Sequence, residues 1–106
     1  MSHVTDIILS TMIEDGAQHD NGHPNVDQLN QYLSKHHGGW ALIKVDEKAG
    51  GGKAMQSDIF IAAINYLNIP DFLNAFYEIK WEAPESVQLM LKDEHDERFC
   101  IYAPRI

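Results

Sequence analysis

Ser57-Asp58-Ile59-Phe60-Ile61-Ala62-Ala63-Ile64-Asn65-Tyr66-Leu67-Asn68-Ile69-Pro70-Asp71 is the stretch on which the fold turns. Ile59 to Leu67 is an apolar run broken only by Asn65, and its periodicity fits two structures. Ser57-Asp58 would cap a buried helix, whereas Ile59, Phe60, Ile61 and Ile64 suit a strand buried on both faces. The residues that follow favour the strand. Asn68-Ile69-Pro70-Asp71 reads as a helix start, with Pro70 near the first turn, Asp71 at the positive pole, and Phe72, Leu73, Phe76 and Tyr77 on one face. Two abutting buried helices need a longer connection than this. Ile59 to Ile64 is therefore expected as a central strand and Asp71 to Tyr77 as helix.

Upstream, Trp40 to Asp46 alternates, with Ala41, Ile43 and Val45 on one side and Lys44 and Asp46 on the other, as in an edge strand wetted on one face. Lys48 to Lys53, with three glycines, joins it to the decisive stretch. Further back, Asn25 caps an expected helix in which Val26, Leu29, Tyr32 and Leu33 share a face, Asp27 suits the N-terminus, and Lys35, His36 and His37 suit the C-terminus before Gly38-Gly39. Asp15 to Pro24 is dense in turn formers and reads as a loop. Val4 to Ile13 is a strand with apolar residues on both parities. Downstream, Val87, Leu89 and Leu91 alternate with Gln88, Met90 and Lys92, and a polar turn at Asp93 to Glu97 leads to Phe99, Ile101 and Ala103, which together make a hairpin.

The order strand, helix, strand, strand, helix, strand, with one more antiparallel strand at the C-terminus, is the split βαβ arrangement of ferredoxin-like α+β folds. It places the first and third strands in the sheet centre and the second and fourth at its edges. The likeness is architectural, and such a fold hosts many functions.

With 106 residues the chain has room for one domain, 1–106. Hydrophobic residues make up 44% and charged residues 23%, which disfavours disorder and coiled coil. Sixteen Asp and Glu against eight Lys and Arg give a net charge of −8, which argues against binding nucleic-acid backbones or anionic membranes and for a basic protein partner. Cys100 is the only cysteine, so neither an internal disulfide nor a thiolate metal cluster can form. It is expected to be packed within its strand. Met1 to Asp6 lacks a basic secretory start, and a cytoplasmic location is expected.

No motif names a reaction, and no cofactor is expected. His19 and His23, with Asp20, offer two nitrogens and a carboxylate for a metal, the basis of a small metal-assisted hydrolase, but Gly22 and Pro24 put them in a loop where four-residue spacing does not align ligands. A solvated turn is the plainer reading. Gly50-Gly51-Gly52-Lys53 lacks the spacing and the Ser or Thr of a phosphate loop, with Ala54 in that place. Glu82, Glu85, Asp93, Glu94, Asp96 and Glu97, with Trp81 as an aromatic anchor, form an expected acidic surface for a basic partner, as a toxin-neutralising immunity protein or inhibitor would use. In addition, the sheet face opposite the helices would bear Ile8, Met12 and Met90, which makes a homodimer the expected assembly and a small ligand between subunits an alternative function.

Overall fold

The computed structural model describes residues 3–12 and 23–105. Five strands and two helices follow in the order β1 (Val4–Met12), α1 (Pro24–His36), β2 (Ile43–Lys44), β3 (Ser57–Asn65), α2 (Ile69–Glu78), β4 (Gln88–Asp93) and β5 (Cys100–Tyr102). The strands form one antiparallel sheet in the order β2-β3-β1-β4-β5. Ile13, at the end of the expected first strand, lies outside the described residues, as does the expected loop up to Gly22.

The decisive stretch is a strand. β3 pairs along its whole length with β1, from Val4 opposite Asn65 to Met12 opposite Ser57, and these two strands occupy the sheet interior. Because side chains alternate across a strand, the register sorts residues by face. Ile7 and Leu9 of β1, Phe60 and Ile64 of β3, and Leu89 and Leu91 of β4 share one face and are buried. Val26, Leu29 and Leu33 of α1 and Phe72 and Phe76 of α2 close over them in a single core cluster. Each such side chain contributes roughly 1.5–3 kcal/mol by leaving water.

Helix ends follow local chemistry. Asn68 caps α2, its Oδ1 accepting from the Asp71 N–H at 3.2 Å. By contrast, α1 starts at Pro24, one residue before the expected start, with His23 as N-cap. Proline suits this position because its fixed φ is already helical and its missing N–H would have had no helical acceptor. At the other end the His37 N–H bonds to the Leu33 carbonyl at 2.7 Å, and Gly38 and Gly39 take φ of +76° and +88°, a turn that L side chains resist.

Four expectations are corrected. The strand expected over Trp40 to Asp46 pairs only at Ile43–Lys44, and its faces are reversed. The Leu42 N–H donates to Asn30 Oδ1 at 2.8 Å, which draws Leu42 into the core and turns Ile43 outward. β4 is not an edge, because β5 pairs along it from Leu89 to Leu91. β3 is not buried on both faces, since Ile61 is 42% exposed. Finally, Cys100 lies in β5 but is exposed rather than packed, because β5 is itself the sheet margin.

Candidate functional site

The sheet face away from the helices carries an apolar band. Register places Ile43, Ile61, Ile8, Met90 and Ile101 in one row, one side chain from each strand across the sheet. Three of them are strongly exposed, Ile43 at 65%, Ile101 at 64% and Ile61 at 42%, while Ile8 and Met90 at the centre are half-buried by their neighbours. Trp40, 69% exposed just beyond the glycine turn, and Phe99, ahead of β5, stand beside the row. Between Trp40 and Phe99 runs a groove of about 440 Å³ whose lining includes Ile8, Ile43, Ile61 and Ala63 together with Asp6. The next row contains the charges on this part of the face, Asp6 and Lys92, which lie opposite each other in register. Monomeric soluble proteins rarely leave a contiguous apolar patch of this kind in water.

The residues expected on this face, Ile8, Met12 and Met90, share it by alternation, each half-buried. Sequence reading overlooked its most exposed members. Alternation over Trp40 to Asp46 puts Ile43 on the side facing the core, and the apolar run puts Ile61 inside. Trp40 carried a signal, an aromatic residue after two turn glycines, that did not distinguish packing from exposure.

The acidic set does not form one surface. Glu82 and Glu85 precede β4, whereas Asp93 ends it and Glu94, Asp96 and Glu97 follow, so the length of that strand, about 16 Å at ~3.3 Å per step, separates the two groups. Trp81, the expected anchor, is a core residue 6% exposed, tilted against Phe76 with ring centroids 5.8 Å apart. Several of the acidic groups also hold the hairpin together. Asp93 accepts from His3 Nε2 at 2.8 Å and from Thr5 Oγ1 at 2.9 Å, while Asp96 Oδ2 accepts from the Asp93 N–H at 3.1 Å. The His3 and Thr5 bonds hold the Asp93 carboxyl below its ordinary range. Glu94 Oε1 accepts from the Val4 N–H at 3.3 Å.

Of the two weak metal candidates, His19 lies outside the described residues and His23 faces a carboxylate. His23 Nε2 is 3.2 Å from Asp58 Oδ2, a buried group that also has Lys44 Nζ at 3.6 Å. Lys44 bonds Asp46 at 2.8 Å, and Asp46 also accepts from the Ile59 N–H at 3.0 Å. The bond to Asp46 raises the Lys44 pKa. Burial opposes ionisation of Asp46, but the Lys44 and Ile59 bonds outweigh it and hold its pKa below the ordinary value. This group pins the start of β3 to β2 and to the N-terminus of α1. Thr11 Oγ1 and His23 Nδ1 are buried there with no hydrogen-bond partner among the described residues. Its members are spread from 11 to 58 in the chain, and no spacing motif announces it.

No family model, curated protein or solved structure matches the chain. No helix among the described residues is long and apolar enough to cross a membrane.

Proposed function

We propose that the chain is a non-enzymatic interaction protein of ferredoxin-like architecture that works as a homodimer, two copies covering each other's open sheet face. The observation that carries this reading is the five-strand apolar row flanked by Trp40 and Phe99. Four strand spacings of ~4.8 Å and the five ~3.3 Å steps of β4 bound the face to a projection of roughly 19 by 16 Å. The accessible area of a corrugated surface exceeds its projection. That projection is below the roughly 800 Å² per partner of a standard interface, which fits a weak, concentration-dependent association.

A second copy suits this face because the row itself is uncharged and presents the same side chains to a two-fold mate. The net charge of −8 on each copy opposes association at long range, so salt should strengthen the dimer by screening that repulsion. The groove, within the size range of small-molecule sites, supports the holding of a small apolar ligand between copies. A second reading keeps the exposed tip residues Glu94, Asp96 and Glu97 as a steering surface for a basic protein partner, favoured by their clustering at one turn.

Light scattering over a range of concentrations tests the first reading. The expected result is a mass twice the 12.0 kDa of the chain, rising in stability with salt, and reduced to 12.0 kDa by Ile61→Lys without change in the circular dichroism spectrum. A mass of 12.0 kDa at the highest concentration refutes it. Salt-weakened binding to a basic protein, reduced by Glu97→Gln, would move the weight to the second reading.

A further inference from the structure

The residue before β1 and the turn between β4 and β5 bring His3 together with Glu94 and His95, about 90 residues apart in the chain and none of them in the apolar row. Each offers one ligand atom, and the three atoms lie within 4.8 Å of one another. We propose that these residues form a binding site for a zinc-class transition-metal ion, with Asp93 as the carboxylate that orients His3.

The donor set is the first argument. Two imidazoles and a carboxylate suit zinc and its neighbours rather than calcium or magnesium, and three protein ligands leave a fourth position for water. Bonds of about 2.0–2.2 Å to a tetrahedral ion place donor atoms roughly 3.4 Å apart, so the side chains need close only a little further. The surroundings are the second argument. His3 Nε2 is held by Asp93 at 2.8 Å, the pairing that in metal sites fixes an imidazole's orientation and raises its basicity; with Nε2 so engaged, the ion would bind through the ring's other nitrogen. Asp93 is held in turn by the Thr5 hydroxyl at 2.9 Å.

The backbone of His3 is fixed as well. Its N–H donates to Asn65 Oδ1 at 2.8 Å, and its carbonyl accepts from the Tyr66 N–H at 2.9 Å. Tyr66 is the one residue other than glycine among the described residues with positive φ, +58°, a conformation that costs free energy for a bulky side chain. In that conformation its ring stacks against His3, with centroids 6.4 Å apart, while the His95 ring meets His3 edge-on at 5.8 Å. Bound metal would thus join His3 to a turn some 90 residues later in the chain, beside the Asp93 carboxylate that already pairs with His3.

The test is titration of the full chain with Co(II), followed by its visible absorption bands, and displacement of Co(II) by Zn(II). One equivalent should bind, with the intense bands of a four- or five-coordinate site. His95→Ala should weaken binding by about tenfold or more, and Asp93→Asn should do so less severely, as loss of an orienting carboxylate does. His95 is exposed on a turn, so its substitution leaves the fold intact, and a circular dichroism spectrum checks this. His36→Ala, on the far end of α1, should change nothing. Absence of saturable Co(II) uptake overturns the proposal, as does binding unaffected by His95→Ala or abolished by His23→Ala. Because these residues lie off the apolar row, light scattering on the same samples reports the dimer separately.

Discussion

The two faces of the sheet differ more than the sheet's regular pairing suggests. On one, Ile7, Leu9, Phe60, Ile64, Leu89 and Leu91 are closed over by helices, and every one is nearly inaccessible. On the other, residues equally apolar stand open in an unbroken row. The same side-chain chemistry therefore contributes differently: cohesion within the chain on the covered face, and free energy available for association on the open one. Strand parity alone sorts the apolar residues into a covered set and an exposed set.

The largest contrast should come from truncating one residue on each face. Phe76→Ala, at a fully buried position between the helix and the sheet, should destabilise the chain by about 3–5 kcal/mol in urea unfolding. Ile61→Ala on the open face, measured on dilute protein, should cost about 1 kcal/mol or less. Equal losses at the two positions would show that the open face is not open. Next in size is the α2 cap: Asn68→Ala removes the acceptor for the Asp71 N–H and should cost about 1 kcal/mol, read in the same unfolding experiment.

A smaller effect belongs to the margin of the covered face, where Lys44, Asp46 and Asp58 meet. Asp46 has a folded pKa below its unfolded value, so its contribution is present above the unfolded pKa and is lost as pH falls through the folded one. Lys44 has the opposite sign: its folded pKa is raised, so its contribution holds below the unfolded pKa and is lost as pH rises through the folded value. The pair is thus fully effective between about pH 5 and 9. Lys44 is partly exposed, so its share is screened, and Asp46→Asn, which keeps an acceptor for the Ile59 N–H, should cost no more than about 1 kcal/mol at pH 7. The gap between the two proteins should narrow toward pH 3. A gap that stays constant across that range would remove the ion pair from the account.

Long elements were legible in the sequence because their signals are local. The β3 run, the Asn68 cap and the apolar stripe of Phe72 and Phe76 lie within a few turns of chain, and the structure repeats them. Short or shared features were not. β2 pairs at only two residues, and a contact from Asn30 on a different element sets which of Leu42 and Ile43 faces inward, something that alternation cannot show. Trp40 and Trp81 sit in similarly loop-rich surroundings, yet one is exposed and the other buried against Phe76. The acidic residues read as one cluster because numbering brings them together, while a strand keeps them apart. Conversely, His3 and Asp93 meet only through pairing of β1 with β4, so their distance in sequence hid them.

The central claim, that the open row is the surface through which two copies associate, is tested most directly by isoleucine methyl NMR with a soluble paramagnetic probe. As concentration rises, the methyls of Ile8, Ile43, Ile61 and Ile101 should shift together and lose their relaxation by the probe, while those of Ile7 and Ile64, already buried, stay unchanged. Open-face methyls that remain fully relaxed by the probe at every concentration would contradict it.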